Sequence, residues 1–292
     1  DYPYFLKNYR YFGSDMTTLS ATTPLKQIIC IKWGKKFAAE YVNKLYGMVS
    51  RNITPPFRFV CFTDDTDGIR PEVECQPLPI IDYTIPVGTS GQWGKSRLWS
   101  KQLGDLTGNV LFMDLDLVIV DNIDGFFDYL PEQEVVMTRN ITNPLEKLGQ
   151  TSLFRFRVGC LYPLQQQFST NQMATIEKYR YEQRFVTKNA PNGAFFYPKG
   201  WVKHFRYQCR RNFPLNYVLP PKKPVGTKIV IFAGGELNPP EAIAGKYHPD
   251  YPSDMKAYLN MLKTSPEAKK KPLRHLRYFI LPSKWVEEAW RE

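Results

Sequence analysis

The sequence lacks any run approaching the roughly 18 consecutive apolar residues that predict a membrane-spanning helix. Its N-terminus also lacks the basic-then-apolar layout of a secretory signal peptide. We therefore expect a soluble, cytoplasmic protein, with a peripheral membrane contact left open. Because the chain begins at Asp1 rather than at Met, an upstream segment also stays open.

Cysteine and histidine are both scarce. The five cysteines are odd in number and widely spaced, which predicts free buried thiols in a reducing compartment rather than a disulfide framework. The three histidines, His204, His248 and His275, show no metal-ligand spacing, so we expect ordinary surface or packing side chains. Internal repeats and low-complexity tracts are absent as well. A metal site would therefore have to come from carboxylates.

Acidic residues are fewer than basic ones, 28 against 39, which gives a formal net charge of +11. This excess favours anionic partners such as phosphates, nucleotides, acidic glycans or a membrane surface. The basic residues are scattered and form no recognisable nucleic-acid motif, so we expect no nucleic-acid partner. The 43% of apolar and 23% of charged residues are typical of a globular protein, and the length fits one α/β body.

The first 125 residues alternate between strand and helix patterns. Expected strands end near Lys32 and Phe62, a helix carries the apolar stripe Phe37, Tyr41, Leu45 and Val49, and a further helix covers 95 to 106 before the apolar run VLFMDLDLVIV. This order predicts an α/β fold with a mostly parallel central sheet flanked by helices. Such sheets bind ligands beyond the carboxyl ends of their strands.

The second half is less regular. We expect strands at 135–138, 153–158 and 228–232 and a helix at 166–181. The predicted organisation is an N-terminal arm at 1–24, a nucleotide-sugar-binding half at 25–125, an acceptor-side half at 126–245 and a C-terminal wrapping tail at 246–292.

Asp114 and Asp116 lie inside the most apolar stretch of the chain, on either side of Leu115. Burying two carboxylates there is unfavourable unless a cation or strong donors compensate them. At a strand end, alternate residues point the same way, so both carboxylates can face one hard cation such as Mg²⁺ or Mn²⁺. A second D-x-D, Asp65-Thr66-Asp67, lacks this apolar context, and with Asp64 it is also explained by a simple turn.

These features resemble a known enzyme family. The basic segment with Lys95 and Arg97, the strand, and Asp114-Leu115-Asp116 followed by an apolar run are similar to the core of GT-A glycosyltransferases, particularly the glycogenin and lipopolysaccharide galactosyltransferase group and small bacterial relatives. The resemblance covers roughly residues 26–245 and is more specific in its first half. It implies a single-domain GT-A fold with an acceptor-side subregion and hexosyl transfer from a nucleotide diphosphate sugar, such as a UDP-sugar, to a glycan or glycolipid.

The resemblance also implies individual roles. Asp114 and Asp116 would hold a divalent metal, Mn²⁺ or Mg²⁺, with Leu115 between them in the donor site. Trp33 would lie beside the base, and Glu182 in the sugar pocket would act with Asp116 as the catalytic carboxylates. The nucleobase or ribose would be faced by Asp64 and Asp65, and the diphosphate or the sugar by Lys95 and Arg97. A solvated helix face is the alternative for these two basic residues.

Two positions depart from the family pattern. Glu182 replaces the usual Asp, which lengthens the side chain by one methylene. Ala233 stands where the family often supplies a His as a further metal ligand. We therefore expect a metal that is held mainly by the two aspartates and by the nucleotide.

Two other functional classes remain open from the sequence. The string VLFMDLDLV also fits the D-x-D-x-V pattern of Mg²⁺-dependent phosphatases with an aspartate nucleophile, although that motif normally opens its domain. A basic binding protein is the second alternative. Turnover of a nucleotide sugar separates the glycosyltransferase hypothesis from both.

Overall fold

The computed structural model describes residues 25–292 except 87, 90 and 144. The predicted N-terminal arm at 1–24 lies outside the described residues. The predicted nucleotide-sugar-binding half at 25–125 and the predicted acceptor-side half at 126–245 share one sheet, because strands from both halves pair side by side.

A seven-stranded sheet forms the centre of the molecule, in the order β3-β2-β1-β4-β7-β6-β8. The neighbouring pairs from β3 to β4 are parallel, β7 runs antiparallel to both β4 and β6, and β8 is parallel to β6. A smaller sheet has the order β5-β10-β9. The strands are β1 Lys26–Lys32, β2 Phe57–Thr63, β3 Glu74–Pro77, β4 Asn109–Met113, β5 Val118–Ile119, β6 Val135–Arg139, β7 Gly149–Arg157, β8 Phe195–Phe196, β9 Val202–His204 and β10 Ile229–Ile231.

The helices flank the central sheet and fill the second half of the chain. They are α1 Ala39–Asn52, α2 Gly125–Asp128, α3 Tyr162–Thr170, α4 Gln172–Tyr179, α5 Glu182–Asn189, α6 Pro239–Ala244, α7 Met255–Thr264, α8 Pro266–Lys270, α9 Pro272–Leu276 and α10 Lys284–Ala289. Two 3₁₀ helices, Trp93–Trp99 and Leu215–Tyr217, and a π-helical turn, Phe205–Cys209, complete the secondary structure.

Apolar side chains cover both faces of the sheet. In β1, Ile28 and Cys30 belong to the core on one face, whereas Ile29 and Ile31 belong to the core on the other. Full burial on both faces is typical of parallel strands between helix layers. Because β1, β2 and β4 run in the same direction, their carboxyl ends meet at one edge of the sheet.

Two predicted helices differ from the observed ones. The helix expected at 95–106 is a 3₁₀ helix that ends at Trp99, and Gly104 then adopts a left-handed conformation that an α-helix excludes. The helix expected at 166–181 is broken at Asn171, whose side chain accepts a hydrogen bond from the Ala174 N–H and starts α4. Within the described ranges, no helix is long and apolar enough to cross a membrane.

The C-terminal segment packs against the first helix of the fold. The ring of Trp290 lies 5.2 Å from that of Tyr41, and Lys44 lies over the same indole at 3.7 Å. Arg51 at the end of α1 donates to the carbonyls of Ala289 and Arg291. The segment from α7 to α10 is therefore a set of short helices, and the end of α10 with the residues after it packs on α1.

Arg155 fixes the connection after α2 from inside the protein. Its fully buried guanidinium donates to the carbonyls at the end of α2, including those of Phe127 and Tyr129 at 2.8 Å. Burial lowers the pKa of this guanidinium. The guanidinium satisfies carbonyls that the short helix leaves unpaired.

We expect Arg155→Met to destabilise the fold by about 3 kcal/mol, since several buried carbonyls lose their only charged donor. Urea unfolding measures this change. The matched control is Arg157→Met, on the same strand, because Arg157 is exposed and meets Glu134 only at 3.9 Å. That control should change stability by less than about 0.5 kcal/mol. Equal effects of the two substitutions would contradict the role given to Arg155.

Candidate active site

The two aspartates of the D-x-D motif lie in the turn between β4 and β5, at the carboxyl edge of the parallel strands. The Asp114 N–H donates to the Ser152 carbonyl of β7 at 2.9 Å, which fixes the start of the turn. Leu115 is buried in the core, while both carboxylates are half-buried and line a cavity of about 620 Å³. The motif thus occupies a turn rather than the strand itself, with its apolar residue as the anchor.

Lys95 is the buried cation of this cavity. Its Nζ lies 2.6 Å from Asp114 Oδ1 and 2.9 Å from Asp114 Oδ2, and it donates to the Thr151 carbonyl at 3.1 Å. The 3₁₀ helix Trp93–Trp99 carries Lys95 into the cavity wall. The ammonium therefore balances the charge of Asp114 and is held in place by three oxygens.

Glu182 begins α5 and is almost completely buried in the same cavity wall. Its Oε2 accepts a hydrogen bond of 2.5 Å from the Thr151 hydroxyl, and its Oε1 is buried without a partner in the described part of the chain. Burial raises the pKa of Glu182 from its ordinary 4.5 to about 7, and the nearby charge of Lys95 partly opposes this rise. A carboxyl group that titrates near neutrality can both donate and accept a proton.

The raised pKa of Glu182 predicts a pH-dependent stability. The folded protein binds the proton more tightly than the unfolded chain, so this group makes the fold less stable as pH rises from about 4.5 through about 7. Glu182→Gln should remove that loss, which amounts to about 3 kcal/mol. Urea unfolding at about pH 5 and about pH 8 measures the difference between wild type and variant.

The matched control for this prediction is Glu177→Gln, since Glu177 is exposed on α4. The control should show the same change of stability with pH as the wild type. If Glu182→Gln behaves like that control, the Glu182 carboxyl group does not titrate in the way its burial indicates.

Asp116 differs from Asp114 in having no ion pair among the described residues. Burial, and then the charge of Asp114, raise its pKa to about 6. No group of three His, Cys, Asp or Glu side chains with metal-site geometry occurs in the described ranges. Two carboxylates with one unbalanced charge are an incomplete but suitable oxygen set for Mg²⁺ or Mn²⁺, which take further ligands from water and phosphate.

Trp33 lines the cavity and is 38% exposed, with its indole packed directly on Gly94. Asp64 supports it indirectly, because its Oδ2 accepts a hydrogen bond of 3.0 Å from the Gly34 N–H. Asp65 offers its main-chain carbonyl to buried Lys32 at 3.1 Å, and its carboxylate caps the Asp67 N–H. Both aspartates are exposed at the edge of the sheet where the cavity lies, but they are not part of the cavity lining. Their contact with a nucleotide stays a prediction.

Arg97 is not brought to the cavity. It lies two residues after Lys95 on the same 3₁₀ helix and donates to the Pro79 carbonyl at 2.7 Å. This hydrogen bond ties the preceding loop to the helix. Its predicted contact with the diphosphate or the sugar is untested, and the observed contact points to an architectural role.

His204 lines the cavity, whereas the sequence analysis predicted only an ordinary surface or packing side chain for it. It is almost fully buried on β9, and its Nδ1 has no partner among the described residues. Burial and the charge of Arg206 lower its pKa to about 4, so the ring is neutral at neutral pH. The ring lies close to the backbone of Ala233, the position where the family often has its metal-binding His.

No family model matches the chain, and no curated protein matches it in sequence. Solved structures do match its fold. An active-site mutant of LgtC has 11% identity and a TM-score of 0.52 over 89% of this chain and 98% of that chain. The galactosyltransferase LgtC with donor and acceptor sugar analogs has 12% identity and a TM-score of 0.50 over 90% of this chain and 100% of that chain.

A third structure, the glycosyltransferase GlyE of Streptococcus pneumoniae TIGR4, has 8% identity and a TM-score of 0.51 over 88% of this chain and 66% of that chain. At such low identity, these likenesses establish the fold. The described chain has the GT-A fold of glycosyltransferases, a mostly parallel central sheet flanked by helices, as the sequence predicted.

Proposed function

We propose that this chain transfers a hexose from a nucleotide diphosphate donor, a UDP-sugar, to a glycan or glycolipid acceptor, assisted by Mn²⁺ or Mg²⁺. The observation that carries the proposal is one continuous polar chain, in which Lys95 binds Asp114 and the main chain of Thr151, and the Thr151 hydroxyl binds Glu182. Asp116 lies in the same cavity. The set lies at the carboxyl edge of the parallel strands, and the tendency of such sheets to bind ligands at that edge supports the proposal.

Asp114 and Asp116 would hold the metal through their carboxylate oxygens. When bound, the metal offsets the negative charge that grows on the departing diphosphate. Lys95 is ion-paired with Asp114, whereas Asp116 has no ion pair among the described residues and only the more distant charges of Lys95 and Lys36 near it, so Asp116 would contribute most of the charge that attracts a cation. The two aspartates would therefore not be equivalent ligands, because Lys95 is ion-paired with Asp114 and not with Asp116.

Lys95 and Glu182 would act on the two ends of the reacting bond. The ammonium of Lys95 is fixed in a buried wall, so its charge would already lie near a phosphate oxygen. A direct hydrogen bond to that oxygen would replace one of the three contacts that the ammonium now makes. Glu182 would hydrogen-bond the sugar, with Oε1 as its free atom and Oε2 held by Thr151. Trp33 would face the base, supported by the turn that Asp64 fixes.

The phosphatase and binding-protein alternatives are less well supported. A phosphatase of this type needs a free aspartate nucleophile, whereas both oxygens of Asp114 lie within 3 Å of the Lys95 ammonium, at 2.6 and 2.9 Å. A buried, cavity-lining carboxyl group whose pKa is raised to about 7 favours an enzyme over a binding protein, because such shifts cluster at catalytic sites.

A panel of UDP and GDP sugars, each with and without Mn²⁺, tests the proposal. Thermal shift identifies the donor, because a ligand that binds only the folded protein raises its melting temperature. Release of the nucleoside diphosphate from that donor then measures turnover. Phosphatase activity on simple phosphate esters, with no turnover of any nucleotide sugar, would contradict the proposal.

Metal should bind appreciably only together with the nucleotide, because the described residues supply two carboxylates while Mg²⁺ and Mn²⁺ take about six ligands. Calorimetric titration of Mn²⁺ into the free protein should give little heat, and the same titration with UDP present should give a clear isotherm. Tight binding of Mn²⁺ to the nucleotide-free protein would show that a further side chain completes the site.

A further inference from the structure

A second cavity, of about 420 Å³, follows directly after the π-helical turn Phe205–Cys209. Tyr207 and Gln208 of this turn line the candidate active site, and the residues after the turn line the second cavity. No carboxylate is part of its lining in the described chain. The lining residues are Arg210, Arg211, Asn212, Phe213 and Arg277.

Arg210 carries a charge that no acidic group balances. The charged and titratable groups around it are Arg206 and the tyrosines Tyr247, Tyr258 and Tyr278. Its Nε and Nη1 are buried without hydrogen-bond partners in the described ranges. The Tyr247 ring, 4.7 Å from the guanidinium carbon, offsets part of the charge but accepts none of those hydrogen bonds in their usual geometry. Buried N–H donors without an acceptor are rare in proteins, and a bound anion would supply the missing acceptor.

Arg211 and Arg277 add two further cations to the same cavity. The Arg211 Nε donates to the Pro220 carbonyl at 3.0 Å, which holds the side chain in position. Arg277 follows α9 and is exposed. All arginine ion pairs among the described residues belong to other arginines, so neither Arg211 nor Arg277 is paired with a carboxylate there. Three arginines thus line one cavity, and arginine is the side chain that binds phosphate through planar, bidentate hydrogen bonds.

We propose that Arg210, Arg211 and Arg277 form a second ligand site, which binds a phosphate or pyrophosphate group. This proposal does not depend on sugar transfer in the first cavity. The site explains why three arginines share a cavity without a single carboxylate, and it gives part of the +11 charge a specific location.

The second site is also joined to the first by one aromatic ring. Arg206 and Arg210 both lie over Tyr247, at 5.3 and 4.7 Å from its centre. The Arg206 guanidinium in turn lies directly against Gly235, a residue of the first cavity. The phosphate-bearing ligand would therefore bind next to the loop that closes one side of the candidate active site.

Inorganic pyrophosphate is the probe for the test, titrated calorimetrically into the full chain with EDTA present so that metal does not recruit it to Asp114 and Asp116. We expect the double variant Arg211→Gln with Arg277→Gln to bind pyrophosphate at least about tenfold more weakly than wild type, since two charged hydrogen-bonding groups are lost. The control, Lys269→Gln with Lys270→Gln, removes the same charge from the exposed end of α8 and should change affinity less than about twofold.

A wild-type affinity in the arginine double variant would overturn the proposal, and so would an equal loss in the lysine control, which would indicate non-specific attraction. Thermal unfolding confirms that both variants fold. Co-sedimentation with phosphatidylcholine vesicles containing about one-fifth phosphatidic acid then identifies the source of the phosphate. Vesicle binding that falls in the arginine variant and is displaced by pyrophosphate indicates a lipid headgroup; pyrophosphate binding without vesicle binding indicates a soluble phosphorylated molecule.

Discussion

Asp116→Asn should lower donor turnover on the order of a thousandfold and remove its dependence on Mn²⁺, since metal stabilisation of a leaving diphosphate is worth several kcal/mol. The reason lies in the charge of the site. Asp114 is ion-paired with Lys95, so under the proposed function Asp116 would supply most of the negative charge that holds a cation. Asn keeps the shape of the side chain but loses that charge.

The same substitution should stabilise the protein. Burial and the charge of Asp114 raise the pKa of Asp116 from its ordinary 3.8 to about 6, so its ionisation costs stability progressively as pH rises from about 3.8 through about 6. At about pH 8, Asp116→Asn should therefore raise the free energy of unfolding by about 3 kcal/mol, which urea unfolding measures. Lost turnover with gained stability separates a functional carboxylate from one that the fold needs.

The control for Asp116→Asn is Asp67→Asn, in the exposed D-x-D of the chain. It should change neither turnover nor the response to Mn²⁺. Full, metal-dependent turnover in Asp116→Asn would remove the metal role from this motif.

The central sheet and the position of the D-x-D motif could be predicted from the sequence, because both depend on local apolar patterns. An apolar strand that ends in two carboxylates requires compensation wherever it lies, and the structure supplies Lys95 for one of them. The strands β1, β2 and β4 have the expected positions for the same reason, as each is a continuous apolar run.

The link between Lys95 and Glu182 could not be predicted from local patterns. It passes through Thr151, which belongs to an antiparallel strand inserted beside β4, and the insertion brings together residues far apart in sequence. The sequence offered Glu182 only through a family resemblance. Its burial and its raised pKa depend on packing that no local pattern encodes.

His204 was missed for a related reason. It lies on the three-residue strand β9, too short for a periodic pattern, and reaches the cavity because β9 pairs with β10. The prediction of a helix over 95–106 is wrong because the 3₁₀ helix ends at Trp99 and Gly104 takes a left-handed conformation, which apolar spacing does not reveal. In the first case strand pairing, and in the second case the backbone conformation of one glycine, determines the local structure more strongly than the periodicity of apolar residues.

Lys95→Met should abolish most turnover, on the order of a hundredfold to a thousandfold, because a preorganised buried charge on the leaving group is a large term in transfer reactions. It should also weaken binding of UDP much more than binding of uridine, since only UDP carries the diphosphate. Loss of the ammonium removes the charge that now opposes the raised pKa of Glu182, so that pKa should rise further. Calorimetry with the two ligands and a pH profile of turnover measure these changes.

Loss of folding has to be separated from loss of function in this variant, because Lys95→Met leaves Asp114 half-buried without its partner. The double variant Lys95→Met with Asp114→Asn removes both partners and should recover stability, since deleting a pair is less costly than deleting half of it. It should not recover turnover. Lys101→Met is the control, since Lys101 is exposed after the same 3₁₀ helix, and it should leave both ligands bound as in wild type. Equal weakening of UDP and uridine by Lys95→Met would exclude a phosphate contact and leave Lys95 as a support for Asp114.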